Sequence, residues 1–429
     1  MSAVVVFIIF AICLVIAIPI SISLGIVAVL PGAFDASFTA SAGYVIRSMV
    51  GGIDSFPLLA VPMFVLAGIL MAHGKISEKL FDVFVYFLGN KRAGIPCAVI
   101  ITCLFYGAIS GSAPATVAAV GSMTIPLLIE LGYEKDFSTA IVAVAGGLGV
   151  IIPPSIPFIM YAMASGESVS DLFLAGIVPG MMISALLIFY AYYYCRRHGE
   201  DREKIQAKMD QLKEKGFFNI LKESIWALLS PVIVLGCIYT GVASPTEAAV
   251  ISVFYSLFVS LFIYKSIKVK QIWGIMVEAM KTYAPILFIL ATSTAFSRVL
   301  TLMQVPQDVS AWIMTHFSNE IVLLIVINAV LLIVGMVMDT TPAILILSPI
   351  LLPIVEHVGM NPIHFGVMMI VNLAVGFVTP PVGVNLFVAS SLTNVPMMQI
   401  AKKAMPMIGY FMLALLLIAF IPAISLCLL

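Results

Sequence analysis

The chain has 429 residues, of which 62% are hydrophobic and only 10% are charged, and its formal net charge is zero. A soluble domain carries about 25% charged residues, so this composition excludes an ordinary soluble protein and predicts an all-α polytopic membrane protein. No nucleic-acid partner is expected. The six cysteines lie in apolar runs without CxxC spacing, which favours a role as small apolar fillers over metal or disulfide roles.

Long uncharged segments separated by polar connectors predict the membrane spans of the first part of the chain. The first span is expected at about 4–30 and the second at about 56–72. The amphipathic segment 75–92 is typical of a helix lying in the membrane interface. A re-entrant hairpin at 93–130 follows, interrupted at Ser110-Gly-Ser-Ala-Pro114, and then a broken span at 137–166 and a helix at 172–195.

A charged segment separates the two parts of the chain. Residues 196–215 carry 12 of the 42 charged residues, seven of them basic, so we interpret 196–223 as a long cytoplasmic loop. Spans are expected next at about 224–240, 245–264 and 283–302, the second opening with a capping box from Ser244 to Glu247. An amphipathic segment at 304–319, a hairpin at 320–357 interrupted at Met338–Pro342, a broken span at 362–391 and a helix at 404–428 complete the order.

The two parts of the chain form an internal repeat with a shift of 227 residues. This shift places Gly149 on Gly376 and Pro153-Pro154 on Pro380-Pro381, and the hairpin-tip prolines match with one extra residue of shift. The first unit is expected to cross the membrane four times, and the segment at 224–240 has no counterpart in it. That odd crossing inverts the second unit, and inverted repeats with broken helices are typical of secondary transporters.

The breaks predict cation sites. Adjacent prolines stop a helix, and the freed carbonyls cannot face lipid. Na⁺ binds hard oxygens, and the carboxyl ends of half-helices carry partial negative charge. We therefore predict two sodium sites, one for each pair of hairpin and broken helix. The first comprises Ser110, Gly111, Ser112, Gly147, Gly149 and Ser155, and the second comprises Asp339, Thr340, Thr341, Gly376, Val378 and Thr379.

An anionic substrate is expected between the hairpin tips, facing helix amino termini and hydroxyls. The alternative is that glycine and proline only kink these helices, and that serine and threonine bond locally to the backbone. Asp339 could equally cap the second half of its hairpin. Arg298 could face substrate, pair with an acid on another helix or lie near the membrane edge. The candidate substrate residues are Ser112, Ala113, Thr341, Pro342, Asn385 and Arg298.

Three motifs, Ser110–Thr116, Ser244–Ala249 and Gly376–Asn385, resemble those of the large membrane subunit of tripartite ATP-independent periplasmic (TRAP) transporters, and the similarity covers essentially the whole chain. The resemblance implies a Na⁺-driven importer of small carboxylates, such as sialic acid or a C4-dicarboxylate, in the bacterial inner membrane, without an organic cofactor. It also implies a periplasmic substrate-binding protein and a small four-helix membrane subunit as partners, both expected on separate polypeptides.

The resemblance further implies an elevator fold, in which a scaffold carries a mobile transport domain. The scaffold would comprise 1–92 and 224–319, each ending in an arm, and the transport domain would comprise 93–195 and 320–429. The segment 196–223 and the N-terminus are expected in the cytoplasm, and the C-terminus in the periplasm.

Two other function classes are less favoured. An intramembrane enzyme would need catalytic groups, but the chain has no HExxH motif, no GxGD-like aspartate pair and no plausible serine–histidine or serine–lysine dyad. A channel could also use broken helices to line its pore, but it would show no sodium-coupled accumulation of solute.

Overall fold

A computed structural model describes residues 2–35, 38–214, 216–316 and 319–429. In that part of the chain every regular element is a helix, and nine helices are long and apolar enough to cross a membrane. All six cysteines are free. The predicted all-α membrane fold is confirmed.

The predicted single span at 4–30 is wrong, because the chain forms two helices there. They separate around Ala17, which has a φ of +63°, and Pro19. Proline lacks the backbone donor that a continuous helix needs and restricts the residue before it. Pro31 lies inside the second helix. The first elements are α1 Ala3–Val15, α2 Ile20–Phe34, α3 Ala42–Ile53, a 3₁₀ turn Phe56–Leu59 and α4 Ala60–His73.

The rest of the first unit follows the predicted order. The arm is a helix, the hairpin is two helices joined at Gly111-Ser112, and the broken span contains a 3₁₀ turn, Gly146–Val150, and a cis Pro153-Pro154 bond. These elements are α5 Ile76–Leu88, α6 Gly94–Ser110, α7 Ala113–Glu130, α8 Lys135–Ala145, α9 Ile156–Ser165 and α10 Val169–His198.

The segment expected to be a charged loop, 196–223, is largely helical. It contains the end of α10, the whole of α11 Arg202–Glu214 and the start of α12 Phe217–Tyr239. Ile205, Met209 and Leu212 share one face of α11 and are buried, and α11 packs against α5. Charged residues on the remaining faces are therefore compatible with an amphipathic helix.

The second unit begins with the predicted capping box. The Glu247 carboxylate accepts from the Ser244 backbone N–H at 2.7 Å, and the Ser244 hydroxyl accepts from the Glu247 N–H at 3.3 Å. The span expected from 283 begins earlier, at Val269. The elements are α13 Pro245–Phe258, α14 Val269–Leu302, α15 Val305–His316, α16 Glu320–Val337, α17 Thr340–His357, α18 Pro362–Gly376, α19 Val384–Thr393, α20 Met397–Phe420 and α21 Ala423–Leu426.

The 227-residue repeat extends over the helices themselves. Shifted by 227, α7 coincides with α17, α2 overlaps α13, and α3 with α4 overlaps the long α14. The shifted α1 covers 230–242, so the prediction that 224–240 has no counterpart was wrong. The counterpart is α1, which the sequence interpretation had joined to α2 as a single span. Each unit contains five apolar segments besides its hairpin: in the first unit they are α1, α2, α3 with α4, α8 with α9, and α10. Each repeat unit therefore contains an odd number of apolar segments, which is the number that an inverted second unit requires.

Each hairpin packs onto a broken helix through two glycines. A Cβ built on Gly107 of α6 would lie 2.7 Å from the Gly149 Cα. A Cβ built on Gly376 of α18 would lie 2.6 Å from the Gly335 Cα of α16. Only residues without side chains allow two backbones to approach this closely, so both breaks are covered by backbone from their own hairpin.

The carboxylate of Glu200, whose side chain is 2% exposed, joins three segments at the end of α10. It accepts hydrogen bonds from the Ala93 backbone N–H at 3.0 Å, the Tyr133 hydroxyl at 2.6 Å and the Arg202 guanidinium at 2.7 Å. Burial and the hydrogen bond to Glu200 raise the pKa of Tyr133. The start of the first hairpin is thus fixed to the turn before α8.

A second carboxylate joins the two units. Glu134, which immediately precedes α8, accepts hydrogen bonds from Lys403 of α20 at 2.5 Å and from the Tyr194 hydroxyl of α10 at 2.8 Å. The hydrogen bond from Lys403 holds the pKa of the Glu134 carboxyl below its usual value, although partial burial acts in the opposite direction. The amino ends of α8 and α20 are therefore held together.

The glycine contact at the second break predicts the effect of adding one methyl group. In Gly376→Ala the Cβ would meet the Gly335 backbone, which cannot move away as a flexible side chain can. We expect the free energy of unfolding to fall by about 1–3 kcal/mol, the usual cost of overpacking, measured as a lower unfolding midpoint of the purified protein in detergent.

Gly409→Ala is the matched control, because nothing lies within 4 Å of a Cβ at this helical position. It should be neutral or stabilising by up to about 1 kcal/mol. Equal midpoints for the two variants would contradict the close packing of α16 on α18.

Candidate functional site

The tip of the first hairpin lies on the break between α8 and α9. The Gly111 carbonyl accepts from the Ile156 N–H at 3.3 Å, and a Cβ on Gly149 would lie 2.7 Å from the Ser112 carbonyl oxygen. Ser110, which ends α6, contacts this group through its hydroxyl, 3.3 Å from the same Ser112 oxygen. The fold therefore brings together most of the residues that the sequence predicts for the first sodium site, and the sodium site itself stays a prediction.

Two predicted members of this site have other surroundings. The Ser155 hydroxyl donates to the Val150 carbonyl at 2.6 Å and accepts from the Phe158 N–H at 3.5 Å, so it caps α9. A hydroxyl has one donor and two lone pairs, which leaves one lone pair for another partner. A Cβ on Gly147 would lie 3.1 Å from the Phe411 ring of α20, so Gly147 faces the second unit.

The second break lies against the last turn of α16. The Val382 N–H donates to the Met336 carbonyl at 3.3 Å, next to the contact between Gly335 and Gly376. Val378 is fully buried, and the Thr379 hydroxyl donates to the Val375 carbonyl at 2.7 Å. The break therefore meets its hairpin three residues before Asp339.

The tip of the second hairpin is capped by its own aspartate. The Asp339 carboxylate accepts from the Thr340 N–H at 2.6 Å and from the Thr340 hydroxyl at 3.1 Å. Asp339 is exposed, whereas Thr340, Thr341 and Pro342 are buried. The capping role expected as one alternative for Asp339 is confirmed.

Asn385 connects the two broken helices. Its backbone N–H donates to the Phe377 carbonyl at 3.0 Å and closes the loop of the second break, while its side-chain Nδ2 donates to the Ala143 carbonyl of α8 at 3.1 Å. The residue is completely buried, yet its Oδ1 has no hydrogen-bond partner among the described residues. Buried polar atoms are nearly always paired, so this oxygen is a candidate acceptor for a ligand between the two breaks.

Arg298 lies away from the hairpin tips. It lines a cavity of 540 Å³ together with residues of α3, α9, α14 and α17. The described residues that line this cavity do not include the hairpin-tip candidates Ser112, Ala113, Thr341 and Pro342. The hairpin-tip candidates and Arg298 therefore belong to different places in the fold.

The sequence interpretation missed Thr116, which is completely buried at the first tip. Its hydroxyl lies 2.9 Å from the Ser110 hydroxyl and donates to the Ser112 carbonyl at 2.8 Å. A signal was present, because Thr116 follows Ser112 by one helical turn in the same motif.

The sequence interpretation also missed the link between α18 and α16, in which Asn372 Nδ2 donates to the Asn328 Oδ1 at 2.8 Å.

The surroundings of Asn385 predict a strong effect of exchanging its amide for a carboxylate. Asn385→Asp removes the donor to the Ala143 carbonyl and buries an uncompensated charge in its place. We expect the free energy of unfolding to fall by more than about 3 kcal/mol, measured by thermal unfolding in KCl.

Asn361→Asp is the matched control. Asn361 caps α18 by accepting from the Ile363 N–H at 2.8 Å, a role that aspartate fills equally well, so this variant should be nearly neutral. A small effect at both positions would contradict the buried link from Asn385 to Ala143.

Comparisons with known proteins agree with this architecture. The family model described as tripartite ATP-independent periplasmic transporter, DctM component, matches residues 7–424. The isethionate TRAP transporter permease protein DctMQ of Oleidesulfovibrio alaskensis is 42% identical over 415 residues, which are 97% of this chain, and the chain spans 64% of that relative. The C4-dicarboxylate TRAP transporter large permease protein DctM of Pseudomonas aeruginosa is 38% identical over 375 residues, covering 87% of this chain and 86% of the relative.

A solved structure is similar in fold. The crystal structure of the Alcanivorax borkumensis YdaH transporter superposes with a TM-score of 0.63 at 14% identity, covering 93% of this chain and 96% of that chain. The predicted assignment to transporters rather than enzymes is confirmed, and several apolar helices make the chain a multi-pass membrane protein. By its match over nearly all of its length, the chain belongs to the DctM component family of tripartite ATP-independent periplasmic transporters.

Proposed function

We propose that the chain is the large membrane subunit of a Na⁺-coupled importer of small organic anions in the bacterial inner membrane. The observation that carries the proposal is the pair of symmetric contacts in which each hairpin covers a broken helix, Gly107 on Gly149 and Gly335 on Gly376. Paired breaks in corresponding positions of two repeats mark the ion and substrate sites of secondary transporters.

Hard oxygens at both breaks suit Na⁺ as the coupling ion. At the first break these are the carbonyls of Gly111 and Ser112 with the nearby hydroxyls, and at the second the carbonyls of 376–378 with Thr379. Asn385 Oδ1 is a further candidate, since it is buried and has no hydrogen-bond partner in the part of the chain that the structure describes. A buried carbonyl-type oxygen that lacks a donor is well suited to a small hard cation. These groups support two sodium sites that are joined through Asn385.

The transported anion would lie between the hairpin tips, where α7 and α17 present their amino ends and Ser112 and Thr341 their hydroxyls. Helix amino termini carry partial positive charge and free N–H groups that stabilise anions. The relatives named above are described for isethionate and for C4-dicarboxylates, which supports a small acid. Sialic acid remains a predicted candidate of the same class.

Alternating access would follow the elevator scheme. The scaffold would comprise α1–α4 and α12–α14, the transport domain α6–α10 and α16–α21, and α5 and α15 would be the arms. The 540 Å³ cavity between α14, the end of α9 and the middle of α17 supports a separation along this boundary. A periplasmic binding protein and a small four-helix membrane subunit would deliver the substrate and complete the scaffold.

We propose that α11 and the basic end of α10 lie in the cytoplasm, and that the chain ends at the periplasmic side. The positive-inside rule supports the first placement. The prediction of a cytoplasmic N-terminus assumed a single first span. Because α1 and α2 are separate helices, the location of the N-terminus stays a prediction.

The function is tested by uptake of a labelled acid into proteoliposomes. We expect accumulation only with an inward Na⁺ gradient, the small membrane subunit and a loaded binding protein, because coupling and delivery are separate requirements. Robust uptake by this chain alone, with K⁺ replacing Na⁺, would overturn the proposal in favour of a channel.

The hydroxyls at the two breaks are tested separately. Ser112→Ala and Thr379→Ala each remove one oxygen next to the carbonyls of a break, so the Na⁺ concentration for half-maximal uptake should rise several-fold while protein yield stays unchanged. Ser122→Ala is the matched control, because its exposed hydroxyl bonds only to the Ala119 carbonyl of α7. Unchanged Na⁺ dependence in both test variants would remove these hydroxyls from the sites.

A further inference from the structure

The cavity that contains Arg298 lies between two groups of helices. One wall is formed by the end of α3, the residues that follow it and one face of α14. A second wall is formed by the end of α9, the start of α10 and the middle of α17. With a volume of 540 Å³, it is large enough for a small organic acid. The residues used below are Gly51, Gly52, Ser55, Thr294, Ser297 and Arg298 on the first wall and Glu167 on the second.

Two glycines shape the first wall. A Cβ on Gly52 would lie 2.6 Å from the Thr294 Cβ, so α3 and α14 approach each other closely. A Cβ on Gly51 would lie 3.8 Å from Arg298 Nη1, which places the guanidinium beside the last turn of α3. The carboxyl end of a helix carries partial negative charge, so this position stabilises the arginine without neutralising it.

The cavity contains one positive and one negative side chain among its described lining residues, Arg298 and Glu167. Neither forms an ion pair with any described residue. Arg298 is exposed, and the hydroxyls of Ser55, Thr294 and Ser297 line the same wall. An arginine within an apolar span is costly unless it serves a polar pathway, so a guanidinium that lies beside hydroxyls on the wall of an open cavity indicates a site for an anion.

This cavity is next to the tip of the second hairpin but separate from it. Helix α17 begins at Thr340 and reaches the cavity at Leu345 and Pro349. At a rise of about 1.5 Å per residue, these positions lie roughly 8 and 14 Å along the helix from the tip. An anion in the cavity would thus be one helical segment away from the hairpin tips.

We propose that this cavity is an entry site, in which Arg298 binds the anionic group of the substrate on the scaffold before the substrate reaches the hairpin tips. The inference rests on the proposed import of organic anions. The charges define the class, because one guanidinium matches one carboxylate or sulfonate. A second carboxylate would face Glu167 and be repelled, whereas a hydroxyl at that end of the molecule would not. The entry site therefore fits a small singly charged hydroxy acid better than a dicarboxylate.

The test measures the local potential with a reporter cysteine rather than with transport. Ser297→Cys places a thiol beside Arg298, and the purified full chain in detergent is treated with an anionic reagent, sulfonatoethyl methanethiosulfonate, or its cationic trimethylammonium analogue. The parent chain with its six native cysteines is treated in parallel, and its modification is subtracted. The readout is the ratio of the two modification rates at low ionic strength.

We expect Arg298→Gln to lower the anionic-to-cationic ratio about tenfold, because a unit charge a few ångströms away acts on the two reagents in opposite directions. Arg298→Lys should preserve the ratio, and Glu167→Gln should raise it. Arg197→Gln is the control for a general loss of positive charge, since this exposed arginine lies at the far end of α10, and it should have no effect.

Competition defines the ligand. Isethionate, a singly charged hydroxy sulfonate, should slow modification of Cys at position 297 in the chain that retains Arg298 and not in Arg298→Gln, and succinate should protect less. Ser55→Cys serves as a second reporter if the first variant folds poorly. A ratio unaffected by Arg298→Gln, no reaction at either reporter, or equal protection by succinate would overturn the entry site.

The outcome is independent of the coupling ion. These rates are measured without a Na⁺ gradient, the small subunit or the binding protein. Failure of Na⁺-driven uptake with an intact Arg298 effect would therefore contradict the proposed function alone, whereas normal uptake with no Arg298 effect would contradict the entry site alone.

Discussion

The structure depends on one constraint, which is that polar backbone must be paired wherever a helix is interrupted in an apolar environment. Two breaks are made by adjacent prolines, and each is covered by a re-entrant hairpin. The cover is tight only because glycine meets glycine, Gly107 with Gly149 and Gly335 with Gly376. A side chain at any of these positions would separate the backbones and open the breaks. Because the backbone must be paired at both breaks, the chain has two hairpins, two repeat units and two candidate ion sites.

The two repeat units nevertheless pack against each other, so their two breaks are not independent. Asn385 in the second unit donates to the Ala143 carbonyl in the first, and Gly147 of the first break faces Phe411 of the second unit. At the other end of the same helices, Glu134 holds Lys403 and Tyr194. The two breaks are therefore connected through the buried hydrogen bond from Asn385 to Ala143 and the packing of Gly147 against Phe411.

Several predictions were wrong for identifiable physical reasons. The apolar segment 4–30 has the length of a single span, and only Pro19 and its neighbours divide it. The charged segment after α10 was interpreted as a loop because charge was counted without periodicity, whereas Ile205, Met209 and Leu212 form the buried stripe of a helix. For Arg298 the sequence left three alternatives open, namely contact with substrate, an ion pair with another helix or a place near the membrane edge, and the structure places it in a cavity apart from the hairpin tips. Spacing along the chain carries no information about which cavity such a residue enters.

The membrane class, the 227-residue repeat, the hairpins and the positions of the breaks could all be predicted from the sequence. These features are local, because proline, glycine and the absence of charge act on the segment that contains them. Only the packing of the helices shows which oxygens are already engaged, as in the caps made by Ser155 and Asp339. It also shows that Thr116 lies at the tip of the first hairpin, that Asn385 joins the two breaks and that Arg298 lines a separate cavity. Those outcomes depend on contacts between residues far apart in the chain, such as Asn385 and Ala143, and such contacts are set by the packing of whole helices.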